Sequence, residues 1–336
     1  MILKALFERI PAVLCQGSWD TDIASIAMCS KEVTNNSLFI CIKGMEQDGH
    51  QYIQEAAERG AAACLVEEAF WKKSASVHGN LKQAEKKTSA YEELKLPEQM
   101  TIVSVQNTRE AAAWAAAAFY RYPSKELKVI GITGTKGKTS TTFMIRDILE
   151  AAGYKTGLLG TIDYEIGEEK KRAERTTPEA IDIQRYLRKM ADSGCRFAVM
   201  EVSSQGLKLH RSDGILFDVG VFTNLGRDHI GPKEHKDMAE YAHYKSLLFQ
   251  KCCFGIGNID DPYYREIFKD ASCQVCTYSC RQKADVQASD IMLVNRNGQL
   301  GTFFKVTSLT ACNSSSLAGN NSINFDNVTD VPLMIK

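Results

Sequence analysis

The stretch GITGTKGKTS, residues 131–140, constrains this chain more than any other. It follows the apolar run KVIGIT (128–133), which reads as a buried strand, and precedes TTFMIRDILEAAG (141–153), whose apolar residues recur with helical period. A strand, a glycine turn and a helix in that order point several backbone N–H groups at one spot in front of the helix N-terminus. The unpaired amides and the helix dipole both favour an anion there. A polyphosphate fits, with Lys138 neutralising its terminal phosphates and the Thr139 hydroxyl placed to ligate a bridging Mg²⁺. The spacing departs from G-x-x-x-x-G-K-[ST], since the position five before Gly137 is Ile132 and the nearest glycines are Gly131 and Gly134. A glycine-rich turn with a solvated lysine is the plainer alternative. The hydroxyl run Thr139-Ser140-Thr141-Thr142 and the strand–helix context argue for phosphate.

With 336 residues the chain exceeds one average domain. The predicted class is α/β: a small N-terminal α/β domain and a central P-loop-type ATPase domain with a mainly parallel sheet. The first block, 1–97, holds the strand SLFICIKG (37–44), a helix within 48–60 closed by Gly60, and the strand ACLV. Residues 71–97 are rich in lysine and glutamate without apolar periodicity and read as a solvated insertion. The second block, 98–301, starts near TIVSV (101–105), where Asn107 or Thr108 can cap an alanine-rich helix. Strands at 156–162, 197–203 and 218–225 alternate with helices near 178–194 and 239–251, which predicts parallel strands covered on both faces. Residues 302–336, dominated by Ser, Asn and Thr, read as an irregular tail rather than a domain.

In open α/β sheets ligands gather at the carboxyl ends of the strands. Polar residues do so here: Glu201-Val202-Ser203-Ser204 ends one strand, and Thr223-Asn224-Leu225-Gly226-Arg227-Asp228-His229 ends the next. Glu201 and His229 are candidate magnesium ligands for phosphoryl transfer, direct or through water. The charges cancel, 41 basic against 41 acidic, which argues against a nucleic-acid surface or a polybasic membrane surface. No apolar span is long enough for membrane insertion and the N-terminus lacks signal-peptide features, so a cytoplasmic protein is expected. The 11 cysteines are odd in number and scattered through apolar segments, which suits reduced thiols. Cys273, Cys276 and Cys280 form a cluster, but it lacks the second ligand pair of a zinc site and alternates like a strand.

The motifs GITGTKGKTSTT, Gly160-Thr161, ERTTPEAIDIQ (174–184), MEVSSQGLKLHR (200–211), VFTNLGRDHIG (221–231) and EYAHYKSLLF (240–249) together resemble the Mur ligases of peptidoglycan synthesis, over about residues 20–300. Within that family they resemble the type that adds the third residue of the stem peptide. The resemblance implies an ATP- and Mg²⁺-dependent ligase that joins diaminopimelate or lysine to UDP-MurNAc-L-Ala-D-Glu through an acyl phosphate, acting as a monomer. It implies that Gly134, Thr135, Lys136, Gly137, Lys138, Thr139, Ser140 and Asn224 hold ATP, with Thr139 and Glu201 on one magnesium and His229 near a second. Thr176, Thr177, Ser203 and Arg211 would contact the UDP-MurNAc-peptide, and Ser30, Met45, Glu46 and Gln47 its uridine end. Lys245 matches a lysine that the family carries as a carbamate, a carboxylate-like magnesium ligand. Lys136 stands where the family has asparagine, Leu209 where it often has glutamine, and Cys29-Ser30-Lys31 where it has Asp-Ser-Arg. The family also has a C-terminal domain that closes over ATP, and 302–336 does not resemble it; impaired catalysis is therefore expected of this chain. Other readings of the same motifs are a folylpolyglutamate synthetase-like ligase, a zinc-ribbon relative, or a module that binds without catalysis.

Overall fold

The computed structural model describes residues 1–44, 47–78, 97–232, 234–296, 299–308 and 333–334. The charged stretch 79–96, the tail 309–332, and Met45 and Glu46 lie outside the described residues. The chain divides into two compact units, each discontinuous in sequence: Met1–Leu127 with Pro178–Gly194 and Lys208–Ile215, and Lys128–Thr177 with Cys195–Leu207 and Leu216–Lys336.

In the first unit β1 (Val13–Gln16), β2 (Ser25–Ala27), β3 (Ser37–Ile40), β4 (Ala61–Glu67) and β5 (Thr101–Val105) form one sheet in the order β1-β5-β4-β3-β2. Neighbours are parallel except β1 with β5. All four residues of β3 and all five of β5 are buried, because helices cover both faces. On one face Leu65 and Val103 meet Leu3 and Leu6 of α1 (Leu3–Leu6) together with Ala111, Ala112 and Ala115. On the other, Cys64 and Val66 meet Ile53 and Ala56 of α2 (Ile53–Glu58) and Phe70 of α3 (Glu68–His78). Those alanines belong to α4 (Thr108–Phe119), whose first turn is capped by Asn107: its Oδ1 accepts from the N–H groups of Arg109 and Glu110 at 3.0 and 3.3 Å.

The division expected after residue 97 falls inside this unit. The polar stretch 71–97 marks a change in composition, yet β5 pairs in parallel with β4, Ala63 opposite Thr101, so the chain returns to the sheet it left. The Ala180–Asp192 helix also belongs here, against α4, with Ile183, Leu187 and Met190 fully buried. Part of the stretch expected to be solvated, up to His78, is the helix α3.

The second unit is built on β6 (Lys128–Thr133), which opens through a loop into α5 (Lys138–Ala151). Then come β7 (Thr156–Leu159), β8 (Asp163–Ile166) and β9 (Glu169–Arg172), and, after the Ala180–Asp192 helix (α6), β10 (Phe197–Glu201), α7 (Ser204–Lys208) and β11 (Phe217–Phe222). α8 (Met238–Ser246), β12 (Cys252–Asn258), α9 (Tyr264–Phe268), β13 (Gln274–Ser279), β14 (Val286–Arg296), β15 (Gln299–Ser308) and β16 (Leu333–Met334) complete it. The sheet order is β16-β15-β14-β13-β12-β11-β6-β10-β7-β8-β9. It is parallel from β7 through β14 and antiparallel at both margins. Ile132, Val199 and Val221 pack beneath Ile145 and Leu149 of α5. The carboxyl ends of β6, β7, β10 and β11, adjacent and parallel, therefore open on one edge of the sheet. The strand β15 runs past the boundary expected at residue 301, with Ser308 opposite Val286, because its pairing with β14 continues through FFKVT. Among the described residues no helix is long and apolar enough to cross a membrane.

Candidate active site

The loop between β6 and α5 is held by the end of β11. Gly134 has φ +152°, and a Cβ there would lie 1.9 Å from Thr223 Oγ1, so only glycine fits. The Thr135 N–H donates to the Asn224 carbonyl at 2.8 Å. The Asn224 side chain accepts from Lys136 N–H at 2.9 Å and donates to the Lys136 carbonyl at 3.0 Å, while Thr223 Oγ1 donates to that carbonyl at 2.7 Å. Asn224, expected to touch ATP, thus has its amide turned onto the loop backbone. Thr135 Oγ1 accepts from Gly226 N–H at 2.9 Å and lies 3.2 Å from Tyr241 Oη. Gly137 is the left-handed N-cap of α5, with Lys138, Thr139 and Ser140 forming the first turn.

Two ammonium groups converge on one carbonyl in this loop. Lys138 Nζ donates to Gly134 O at 2.9 Å and Thr135 O at 3.1 Å, and Lys245 Nζ, from α8, donates to Gly134 O at 2.8 Å. Lys245 is 1% exposed, with its ammonium 4.5 Å from the Tyr241 ring centre. Burial, and secondarily the nearby Lys138, push the Lys245 pKa well below the usual lysine value, with Asp228 opposing. Burial also lowers the Lys138 pKa, against the pull of Glu201. Lys136 reaches outward to Asp228 at 2.9 Å. A positive loop at a helix N-terminus that has turned its lysines onto its own carbonyls suits a polyphosphate, which would supply stronger acceptors.

The acidic side of the site stands at the ends of β10 and β7. Glu201 is 1% exposed; its Oε1 accepts from Thr161 N–H at 2.8 Å and its Oε2 from the Thr161 hydroxyl at 3.1 Å. Thr161 Oγ1 also lies 3.0 Å from Thr176 Oγ1. Thr177 Oγ1 donates to Glu201 O at 2.9 Å and accepts from Ser203 N–H at 3.0 Å, and Ser203 Oγ accepts from Gly206 N–H at 3.0 Å. Glu201, Thr176, Thr177 and Ser203 are thereby tied into one network. His229, with φ +56°, stands beyond β11 with Nδ1 2.8 Å from Glu234. His235, fully buried, places Nε2 2.9 Å from Ser204 Oγ and leans on the Tyr241 ring. A cavity of about 40 Å³ is lined by Lys138, Ser203, His229, His235, Tyr241 and Lys245. Among the described residues no three His, Cys, Asp or Glu side chains form a metal cluster, the group Cys273–Cys280 included. Magnesium asks for less, since it commonly keeps several waters and takes phosphate oxygens beside one or two carboxylates.

The first unit carries a separate pocket of about 710 Å³, within the range of small-ligand sites. Ser30, Lys31, Gly44, Gln47, Tyr52 and Glu55 line it. Ser30 donates to Glu55 at 2.9 Å, and Gly44 N–H closes the turn onto Gln47 O at 2.8 Å. His50, 1% exposed, anchors the chain behind that turn: Nδ1 is 2.5 Å from Asp48, and Nε2 accepts from Glu67 N–H at 3.1 Å. Arg211, also in this unit, is forked onto Glu179 at 2.8 and 3.2 Å. The expected peptide contacts are thus divided, with Thr176, Thr177 and Ser203 in the second unit and Arg211 in the first. Thr161, Tyr241, His235, Glu55 and Glu179 escaped sequence reasoning as site residues. Thr161, Glu179 and Tyr241 lie within the motifs quoted above, and Thr161 has a further local signal in the glycine before it, where a Cβ would lie 2.7 Å from Glu201 Oε1.

Comparison with known proteins bears on the family and the fold. Residues 22–120 match the family described as "Mur ligase family, catalytic domain", and residues 132–329 match "Mur ligase middle domain". The UDP-N-acetylmuramoyl-L-alanyl-D-glutamate--2,6-diaminopimelate ligase of Clostridium tetani is 37% identical over 91% of this chain and 58% of its own length. A Clostridium acetobutylicum protein of the same name, numbered 2, is 39% identical over 87% of this chain and 56% of its own. The chain thus spans somewhat more than half the length of these relatives. A solved structure of a UDP-N-acetylmuramoyl-L-alanyl-D-glutamate--2,6-diaminopimelate ligase matches with a TM-score of 0.71 at 21% identity, covering 92% of this chain and 58% of that one. MurF from Acinetobacter baumannii matches at 0.53 and 21%, covering 85% and 53%. At that identity the two structures speak for the fold, and the two family matches, laid end to end along both compact units, show that this chain belongs to the Mur ligase family.

Proposed function

We propose that the chain carries the ATP site and the nucleotide-sugar site of a ligase that adds 2,6-diaminopimelate to UDP-MurNAc-L-Ala-D-Glu. The observation that carries this reading is the meeting of Lys138 and Lys245 on the Gly134 carbonyl, with buried Glu201 close enough to influence Lys138. A phosphate-binding loop backed by a buried carboxylate is what phosphoryl transfer to a carboxyl group requires. The relatives' names supply the substrate pair.

In the reaction, the D-Glu side-chain carboxylate attacks the γ-phosphorus of ATP, and ADP leaves. The amino group of the incoming amino acid then adds to the acyl phosphate carbonyl, gives up a proton, and expels phosphate as the amide forms. Lys138 and the amides at the start of α5 bind the phosphates, and the Asn224 and Thr223 contacts keep those amides aimed. Magnesium, held through Thr139, Glu201 and His229, would offset the charge of the phosphate oxygens. The pocket at Ser30 and Gln47 would take the uridine end, with Lys31 beside the diphosphate. Thr176, Thr177 and Ser203 would hold the peptide.

Lys245 belongs to this scheme as a carbamate. An amine whose pKa is held low by burial is neutral more of the time, and a neutral amine adds CO₂ to give a carbamate anion and a proton. The product would turn a second cation beside Lys138 into a magnesium ligand. With ¹³C-bicarbonate, a carbamate resonance is expected in the native chain and not in Lys245→Met. We place the reaction in the cytoplasm, with its ATP, and expect a monomer by sedimentation.

The direct test supplies the purified chain with UDP-MurNAc-L-Ala-D-Glu, ATP, Mg²⁺ and either diaminopimelate or lysine, and follows tripeptide and phosphate. Binding of ATP and of the nucleotide sugar is expected, with impaired turnover and diaminopimelate as the residue joined. Failure to bind either ATP or the nucleotide sugar would end the proposal.

A further inference from the structure

We propose that Thr161 is a positioning residue that fixes the hydrogen-bond polarity of Thr176, so that Thr176 meets the ligand as an acceptor and selects a peptide N–H. The inference rests on the reading of the second unit as a site for UDP-MurNAc-L-Ala-D-Glu.

The argument follows from counting protons. A threonine hydroxyl has one hydrogen to give and two lone pairs to offer, whereas an ionised carboxylate only accepts. Thr161 Oγ1 has two neighbours within reach, Glu201 Oε2 at 3.1 Å and Thr176 Oγ1 at 3.0 Å. A bond to a charged acceptor is about twice as strong as one between neutral groups, so the Thr161 hydrogen goes to Glu201. The backbone reinforces that choice, because Thr161 N–H already donates to Glu201 Oε1 at 2.8 Å and fixes the carboxylate plane against the residue. Gly160 leaves room for this approach, since a Cβ there would lie 2.7 Å from Oε1 and the carboxylate would have to shift.

Thr161 can then only accept from Thr176, and the donor direction runs from Thr176 through Thr161 to Glu201. The one hydrogen of Thr176 is turned inward. Half-buried Thr176 has lone pairs left for a ligand and no hydrogen. It complements an N–H and repels a carbonyl or carboxylate oxygen. The carboxylate that would serve the metal therefore also sets, two hydroxyls away, which atom of the peptide can be held.

The experiment compares three ligands by calorimetry on the whole chain: UDP-MurNAc-L-Ala-D-Glu and two analogues in which one or the other peptide N–H is replaced by an ester oxygen. Wild type is expected to bind one ester analogue roughly five- to tenfold more weakly than the amide, the worth of one hydrogen bond. Thr161→Val frees the Thr176 hydrogen to donate to the ester oxygen while the hydroxyl still accepts an amide N–H, so that preference should shrink to within about twofold, while Thr161→Ser, which keeps the donor, should retain it. Thr176→Val, which removes the acceptor itself, should lose the preference too and serves if Thr161→Val does not fold. A merely structural role for Thr161 would weaken all three ligands alike. Equal binding of amide and esters by wild type, or a full preference in Thr161→Val, overturns the assignment while leaving the substrate reading intact. Failure of wild type to bind any of the three overturns that reading and this assignment with it.

Discussion

Lys245 shows how much a single residue in this fold can set against stability. Its ammonium is buried, shares the Gly134 carbonyl with Lys138, and has its pKa held well below the ordinary 10.5, first by burial and then by Lys138. Between that lowered value and 10.5 the unfolded chain carries a proton that the folded chain lacks. Folding stability therefore rises with pH through this window, and below it the full cost stands. Lys245→Met should stabilise the unliganded chain at mildly acidic pH, where the buried ammonium costs most. The gain should fade as pH climbs toward 10.5. Denaturant titrations at several pH values would test this, and a gain that does not vary with pH would contradict it. For Lys138→Ala a different loss is expected, roughly 1.5–3 kcal/mol of ATP affinity from one charge-assisted contact; an unchanged calorimetric Kd would remove Lys138 from the phosphate site. Both lysines could be found in the sequence. The burial of Lys245 could not, because KSLLF looks the same whether its lysine faces solvent or a loop more than a hundred residues earlier.

The elements matter here through their ends. Asn224, just past β11, has both amide atoms on the backbone of Lys136, so the phosphate loop is shaped by its neighbour strand as much as by its own glycines. Asn224→Ala should weaken ATP binding by about 1–2 kcal/mol and speed hydrogen exchange at Lys136 N–H. Asn107→Ala removes the cap of α4, in the other unit, and should lower stability by about 1 kcal/mol with ATP affinity unchanged. If the two variants behaved alike, the special role of Asn224 would be lost. Strand and helix identity was legible wherever an apolar run or a helical period was strong, as at KVIGIT and in α5. Membership was not: TIVSV announces a strand, but nothing near it says that the strand pairs with ACLV, about forty residues back. Thr161 escaped for the same physical reason, since its partner Glu201 lies forty residues on.

At the scale of the molecule, the chain passes between the two units five times, after Leu127, Thr177, Gly194, Leu207 and Ile215. The first unit is not completed when its sheet is. It needs α6, whose buried Ile183, Leu187 and Met190 are encoded after most of the phosphate site. A fragment ending at Leu127 would leave the matching surface of α4 in water, and burial of one such side chain is worth about 1.5–3 kcal/mol. That fragment is expected to melt well below the full chain, or without a cooperative transition, by circular dichroism. An equal, cooperative melt would show that α6 is dispensable.

The same interleaving bears on inheritance. Recombination that exchanged the first unit for that of another lineage could not do so with a single breakpoint. A crossover near residue 127 would pair one parent's α4 with the other's α6, so the two surfaces must change together or lose their fit. The pocket of the first unit and the loop before α5 are in this sense one heritable piece, and divergence in either is expected to arise by substitution in place rather than by the borrowing of a ready-made module.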